Sequence, residues 1–171
     1  MSTLCIAGLG MIGGSLAAAL KQSGYGGRIT ALVRSSETGR RGQALGIIDG
    51  FSTDAADVVA DADIVMLAVP MLSMREQLTA IKPYLKSSAI VTDAGSVKAP
   101  FIEDARAVLD DLSRVVPGHP IAGREKTGVD AADADLYQGK RVLLTPLPET
   151  DEAAMGIVAS LWESAGANVE T

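Results

Sequence analysis

Apolar residues in this chain gather in short continuous runs, and segments with the apolar spacing of helices lie between the runs. Residues 64–69 contain no polar side chain, which is typical of a parallel strand buried on both faces. Glycine or proline follows several runs, as expected where strands and helices end. The pattern predicts strands over residues 4–7, 28–33, 47–48, 64–69, 89–92, 114–116, 141–144 and 167–169, and helices after the first strand and over residues 37–45, 54–59, 73–85, 99–112, 129–136 and 151–165.

Strands that alternate with helices predict an α/β fold. We expect one doubly wound, mainly parallel sheet over residues 1–171, with helices on both of its faces. Residues 117–123 contain two prolines and two glycines, so we expect a rigid loop there. Ligands bind such sheets at the carboxyl ends of the strands, which is where the candidate residues described below are found.

The turn between the first strand and its helix has the sequence Gly-Leu-Gly-Met-Ile-Gly. In this spacing Gly8 permits the sharp turn, Gly10 lets the backbone approach a pyrophosphate, and Gly13 lets the helix pack closely on the strand. Backbone N–H groups at the start of the helix, at Met11 and Ile12, would face the phosphates. Glycine-rich turns also occur without a ligand, but the position between a strand and a helix favours a Rossmann-type dinucleotide site.

Composition and charge exclude several classes of partner. The chain of 171 residues has 15 basic and 21 acidic side chains, a formal net charge of -6, and no basic run. We therefore expect neither a nucleic acid nor an anionic membrane surface as a partner. No apolar run is long enough to cross a membrane, and the single cysteine, Cys5, is expected to be a small buried residue of the first strand. These features predict a reducing, cytoplasmic compartment, and no metal site is expected.

The end of the second predicted strand indicates which nicotinamide cofactor is bound. NAD sites usually have an acidic residue about 20 residues beyond the glycine motif, where it accepts hydrogen bonds from the ribose hydroxyls. Here Arg34 occupies the position 21 residues beyond Gly13, and Ser35 and Ser36 follow it. A guanidinium and two hydroxyls would bind a 2′-phosphate, so we predict NADP in preference to NAD. The alternatives are that Arg34 stacks on adenine or points into solvent, and that Ser36 caps the next helix.

Three sequence blocks are more specific than the fold. They are the glycine motif extended to Ser15, Asp-Ala-Gly-Ser-Val-Lys at residues 93–98, and Pro-Gly-His-Pro-Ile-Ala-Gly-Arg-Glu-Lys-Thr-Gly-Val at residues 117–129. In this order they resemble the signature blocks of the prephenate/arogenate dehydrogenase family of tyrosine biosynthesis. The resemblance covers essentially the whole chain, through residues 143–146. Residues 34–36 are similar to the same segment of NADP-preferring members, several of which favour arogenate.

The resemblance also implies what accompanies residues 1–171. Members of the family continue into an α-helical C-terminal domain that forms most of the dimer interface and supplies further substrate-binding residues. We therefore expect residues 1–171 to be the NADP-binding domain. We expect the full-length protein to be a homodimer that acts on a small molecule, arogenate or prephenate.

The resemblance implies an oxidative decarboxylation, in which a ring carbinol loses a hydride to nicotinamide and the adjacent carboxylate leaves as CO₂. His119 is the only histidine, and imidazole is well suited to accept a hydroxyl proton near neutral pH. A lone histidine can also merely bond to loop backbone, but the matching Gly-His-Pro block implies the catalytic base. Ser96 matches a family serine that bonds to the histidine and the reacting hydroxyl, and it could also cap the next helix. Asp93 is expected to shape its turn, and Lys98 to be an ordinary surface charge.

Several further residues have expected roles around these groups. Val69, Pro70 and Gly95 are expected to lie beside the cofactor, where strands meet the cleft. Glu125 and Lys126 match a family segment at the mouth of the substrate pocket. They would gate the substrate or form an ion pair there, with a solvated loop as the alternative.

Two alternatives to this dehydrogenase stay open from the sequence. One is a related Rossmann-type hydroxyacid or imine oxidoreductase, because a fold does not fix a reaction. The other is a cofactor-binding module that has no activity of its own.

Overall fold

Six parallel strands form the main sheet of the protein, which a computed structural model describes for residues 2–171. The strands lie in the order β3-β2-β1-β4-β5-β6, so the chain crosses over between β1 and β4 as in a doubly wound fold. A second sheet of three strands has the order β7-β8-β9. The strands are β1 (Leu4–Ala7), β2 (Ile29–Leu32), β3 (Gly50–Ser52), β4 (Ile64–Leu67), β5 (Ile90–Asp93), β6 (Val115–Val116), β7 (Gly118–Pro120), β8 (Arg141–Leu144) and β9 (Asn168–Glu170).

Within residues 2–171, six α-helices connect and cover these strands. They are α1 (Met11–Gln22), α2 (Ser36–Ala44), α3 (Ala55–Val59), α4 (Met74–Ile81), α5 (Lys98–Val108) and α6 (Glu152–Ser164), with 3-10 turns at Met71–Ser73, Lys82–Tyr84 and Val129–Ala131. The predicted helix over residues 73–85 is divided between α4 and the Lys82–Tyr84 turn, because Pro83 has no N–H to donate. No helix within residues 2–171 combines the length and the apolar character needed to cross a membrane.

Both faces of the main sheet are covered, which confirms the predicted α/β class. Along β1, Leu4 and Ile6 belong to the core that includes α1 and α6, whereas Cys5 and Ala7 belong to the core with α3, α4 and α5. This division follows from the alternation of side chains along a strand. Cys5 is buried as predicted, and its burial raises the pKa of the thiol to about 11.

The prediction for residues 117–123 was wrong, because β7 begins within them. Pro117 has no backbone N–H, so the ladder of β6 ends at Val116 and the chain leaves the main sheet. The Pro117 carbonyl instead accepts a bond from the Thr145 N–H at 2.9 Å. Strand β7 then pairs antiparallel with β8, and β8 pairs parallel with β9. The last two predicted strands therefore form a separate small sheet and do not extend the main one.

Three other element predictions were wrong. Ile47 and Ile48 form no strand but bury their side chains in the turn after α2, and the edge strand that pairs with β2 on the side away from β1 is β3. Helix α5 ends at Val108 instead of residue 112, because Leu109 has an extended backbone with ψ of 142°. The predicted helix over residues 129–136 is only the 3-10 turn Val129–Ala131.

Candidate functional site

The glycine turn joins β1 to α1 where the backbones of β1 and β4 lie close together. Gly8 has a φ of +98°, and a Cβ there would lie 2.5 Å from the Ala68 carbonyl oxygen. A Cβ at Gly13 would lie 2.8 Å from Ile6 Cγ2 and would also collide with the Gly8 carbonyl oxygen. Gly10, by contrast, has no atom within 4 Å of a Cβ position. The turn thus requires glycine for packing at two positions and leaves the third open to a ligand.

We expect Gly13→Ala and Gly10→Ala to separate packing from binding. Gly13→Ala should destabilise the fold by about 2 kcal/mol, because the added methyl forces α1 away from β1. Gly10→Ala should have a free energy of unfolding within about 0.5 kcal/mol of the parent, because its methyl group meets open space. It should nevertheless bind dinucleotide more weakly. Denaturant melts and calorimetric titration with NADP⁺ measure the two effects. Equal stability of both variants would contradict the packing role of Gly13.

Two connected clefts lie along the carboxyl edge of the main sheet. The first cleft has a volume of about 530 Å³ and runs from Gly10 past Val69 to Arg34 at the end of β2. The second cleft has a volume of about 380 Å³ and runs from Gly10 towards Ala94, after β5. They share Gly10, Ala68, Val69, Pro70 and Gly128. A long ligand that crosses the glycine turn can therefore occupy both.

The residues after β2 have different positions relative to the first cleft. Arg34 lines it and donates from Nη2 to the Ser73 Oγ at 2.9 Å. Ser35 is the N-cap of α2, since its Oγ accepts from the Thr38 N–H at 3.3 Å. The prediction that Ser36 caps this helix was therefore wrong by one residue, and Ser36 is the first residue of α2. Ser35 and Ser36 lie beside the cleft without lining it.

A buried ion pair connects the turn after β5 to β7. The fully buried Asp93 carboxylate accepts bonds from the backbone N–H of Gly95 at 3.1 Å and of Gly118 at 2.9 Å, and it pairs with Lys98. Lys98 Nζ also donates to the Gly118 carbonyl at 2.5 Å. Burial raises the pKa of Asp93 and lowers the pKa of Lys98. The prediction of a surface charge at Lys98 was wrong, because its side chain is only 14% exposed.

His119 and Ser96 lie on the two segments that this ion pair connects. His119 is half-buried on β7 opposite Leu143, and Ser96 is exposed in the turn between β5 and α5. Within residues 2–171 no hydrogen bond joins the His119 and Ser96 side chains, and neither residue lines the two clefts. The N-cap of α5 is Val97, so the alternative role of Ser96 as a helix cap was wrong. Gly95 also lies outside the linings and bonds to Asp93.

The segment of residues 124–137 crosses the start of α1. The Asp133 N–H donates to the buried Ser15 Oγ at 2.9 Å, and the Tyr137 hydroxyl donates to the Ile12 carbonyl at 2.7 Å. Lys126 in this segment lines the second cleft beside Gly10–Ile12, whereas Glu125 is exposed and lies outside both linings.

Sequence reasoning missed Ser73 and Lys98. Lys98, Phe101 and Ala105 have the three- and four-residue spacing of one helix face, and the last two are fully buried, so this spacing was an available signal for Lys98. Ser73 gave no signal, because its partner Arg34 lies 39 residues away in the chain.

The parallel sheet, its crossover and the glycine turn that opens α1 define a Rossmann-type nucleotide-binding domain. The family model described as prephenate dehydrogenase, nucleotide-binding domain, matches residues 16–171. The chain belongs to this prephenate dehydrogenase family.

Individual relatives agree with this assignment. The chain is 36% identical to a cyclohexadienyl dehydrogenase of Zymomonas mobilis over 168 residues, which is 97% of this chain and 56% of that protein. A crystal structure of prephenate dehydrogenase from Aquifex aeolicus, in complex with hydroxyphenyl propionate and NAD⁺, superposes with a TM-score of 0.92 at 40% identity, over 99% of this chain and 59% of that one. Synechocystis arogenate dehydrogenase superposes with a TM-score of 0.90 at 28% identity, over 98% of this chain and 58% of that one. The chain spans about half the length of the curated relatives it matches.

Proposed function

We propose that this chain is the cofactor-binding part of an NADP-dependent dehydrogenase that decarboxylates arogenate, prephenate or both. The observation that carries the proposal is the pair of clefts that meet at the glycine turn. One cleft leads to Arg34, and the other leads towards the β5 end, where Asp93 holds the turn that contains Ser96. The family named in the comparisons supports the dehydrogenase reaction.

The residues at the turn fit a dinucleotide. The space where a Gly10 Cβ would lie is open, and α1 has no side-chain cap, so N–H groups of its first turn stay available to a pyrophosphate. We assign Gly8, Gly10, Met11, Ile12 and Gly13 to the pyrophosphate region, Val69 and Pro70 to the shared wall, and Gly95 to the nicotinamide end. A nicotinamide bound there would supply the hydride acceptor.

The reaction needs a proton acceptor beside the substrate hydroxyl. We assign this role to His119, with Ser96 bonding to the hydroxyl and to the imidazole once the substrate is bound. The carbinol carbon then loses its hydride, the hydroxyl proton passes to His119, and the bond to the ring carboxylate breaks to release CO₂. The electrons of that bond enter the ring, which becomes aromatic, and the phenolate oxygen takes the proton back from His119, so that a phenol is released and the base is regenerated. Asp93 and Lys98 support this arrangement by fixing the Gly118 peptide that precedes His119.

Two charged neighbours, Glu125 and Lys126, are assigned to the substrate mouth. Lys126 lies at the second cleft, where a cation would suit a carboxylate substrate, and we propose a gating or ion-pair role for Lys126 and its neighbour Glu125. For a protein as long as the curated relatives, we propose a helical C-terminal domain and a homodimer.

The choice between NADP and NAD depends on Arg34. Its guanidinium lies at the end of the first cleft, and α2 begins two residues later, so a 2′-phosphate would meet a cation and a helix N-terminus. The Aquifex relative is named as a complex with NAD⁺, so the preference has to be measured on this chain. Clear preference for NADP⁺ in calorimetric titration with both cofactors would support the proposal, and binding of neither would overturn it.

We expect Arg34→Ala to weaken NADP⁺ binding by about 30-fold and NAD⁺ binding by less than about threefold, because NAD⁺ lacks the phosphate that pairs with the guanidinium. Arg40→Ala is the matched control, since Arg40 is exposed on α2 and does not line either cleft. Equal losses for both cofactors would indicate that Arg34 stacks on adenine instead.

The reaction itself is tested in a protein with the full length of the relatives. Turnover of prephenate or arogenate with NADP⁺ would support the proposal. Turnover restricted to simple hydroxyacids would identify a different oxidoreductase of the same fold. Cofactor binding without any turnover would identify a binding module.

A further inference from the structure

We propose that Ser73 is a specificity-determining residue, which holds the Arg34 side chain in position for the 2′-phosphate of NADP. Arg34 follows β2, whereas Ser73 ends the 3-10 turn after β4, and β1 lies between these two strands in the sheet. The bond from Arg34 Nη2 to Ser73 Oγ, at 2.9 Å, therefore joins two residues that come from separate strand ends and both line the first cleft. The inference rests on the proposed function, because it concerns the same cofactor site.

The Ser73 hydroxyl makes this contact and does not make the helix-capping bond that serine usually makes at such a position. Ser73 is the N-cap of α4, a position where serine normally accepts a bond from an N–H of the first helical turn. No such bond is made, and the Ser73 backbone has αR angles of −95° and −3°. Its own N–H donates to the Pro70 carbonyl at 2.9 Å, which fixes the turn that carries the hydroxyl. The Arg34 contact is thus made by a residue whose backbone is hydrogen-bonded within a turn.

The bond orients Arg34 without neutralising it. The neutral Ser73 hydroxyl accepts from one of the five N–H donors of the Arg34 guanidinium. Within residues 2–171 no carboxylate lies within 4 Å of that guanidinium. Arg41, on α2, is by contrast paired with Asp130 at 2.5 Å. Glu76 also lines the first cleft, and it is the acidic group that a phosphate would have to avoid. A guanidinium held at Ser73 keeps its charge and its other donors for an anion.

Holding a long side chain in one geometry before the ligand arrives lowers the entropic cost of binding. This benefit applies only to a ligand that contacts Arg34. A 2′-phosphate does so in the proposed site, whereas NAD⁺ offers hydroxyls at that position. Ser73 should therefore affect the affinity for NADP⁺ and leave the affinity for NAD⁺ nearly unchanged.

Calorimetric titration with NADP⁺ and NAD⁺ tests this on the parent chain and on Ser73→Ala, Ser73→Thr, Arg34→Ala and the Ser73→Ala/Arg34→Ala double variant. We expect Ser73→Ala to weaken NADP⁺ by roughly fivefold and NAD⁺ by less than twofold, and Ser73→Thr to restore most of the affinity. In the Arg34→Ala background the Ser73→Ala change should have no further effect, because its partner is already absent. Ser87→Ala, an exposed serine far from both clefts, is the matched control.

The role of Ser73 and the preference for NADP⁺ are contradicted by different results. A parent chain that prefers NADP⁺ and loses that preference in Arg34→Ala, but shows additive losses in the double variant, would overturn only the role of Ser73. Equal losses of both cofactors in Ser73→Ala would do the same. A parent chain without any preference for NADP⁺ would overturn the cofactor assignment and the inference together.

Discussion

His119→Asn is expected to lower turnover by about 100-fold or more in a dehydrogenase that contains this chain at the length of its relatives. Asparagine fills a similar space and bonds to neighbours, but it cannot take up the hydroxyl proton at neutral pH. Because His119 lies on β7 and outside the linings of both clefts, the affinity for NADP⁺ should stay within about twofold of the parent. Steady-state kinetics and calorimetric titration on the same preparation measure the two quantities.

Two controls make the His119 result specific. Leu143→Val changes the residue paired with His119 across the small sheet without changing a titratable group, so it should retain most of the turnover. Ser96→Ala should lower turnover with little change in cofactor affinity if Ser96 bonds to the reacting hydroxyl. Turnover close to that of the parent in His119→Asn would rule out the catalytic assignment.

Lys98→Met is expected to destabilise the fold by about 3 kcal/mol, because it leaves the fully buried Asp93 carboxylate without its cation. The methionine keeps most of the volume of the side chain, so packing alone cannot account for a loss of this size. The contact of Lys98 Nζ with the Phe101 ring, 5.4 Å from its centroid, is lost together with the charge. Chemical denaturation followed by circular dichroism measures the free energy of unfolding.

A surface ion pair and a double variant provide the comparison. Lys82→Met breaks an exposed ion pair, in which Lys82 Nζ and Asp110 Oδ1 lie 3.3 Å apart. This change should lower the free energy of unfolding by less than about 1 kcal/mol. Adding Asp93→Asn to Lys98→Met removes the unpaired charge and should restore part of the lost stability. If Lys98→Met were as mild as Lys82→Met, the ion pair would have no role in holding β7 to the turn after β5.

Five of the six strands of the main sheet, all but β3, were predictable because their signals are local. The run at Ile64–Leu67 marks a buried central strand, and the glycine turn after Ala7 marks the start of a dinucleotide-binding unit. Each of these signals depends on residues within about ten positions of one another. The order of the elements and the fold class followed from their alternation.

The small sheet and the ion pair were not predictable in the same way. Strand β7 has only three residues, and its partner β8 begins at Arg141, so Gly118–Pro120 contains no local signal for that pairing. The Gly118 N–H donates to Asp93 and the Arg34 guanidinium donates to Ser73, and these bonds join residues 25 and 39 positions apart. A long polar side chain such as Lys98 looks solvated in the sequence, and only the position of Asp93 explains its burial.

The antiparallel pairing of β7 also limits how the chain can change in length. His119 lies opposite Leu143, and the Ile121 N–H bonds to the Arg141 carbonyl at 2.8 Å just beyond the pair. A slip of one residue would turn the imidazole to the opposite face of the sheet. An insertion within the exposed residues 123–127 leaves this register in place, together with the bonds from Asp133 and Tyr137 to the start of α1, whereas a single deletion between Pro117 and His119 would displace the imidazole. Alignments of distant relatives should accordingly place their gaps within residues 123–127 and keep the paired residues in register.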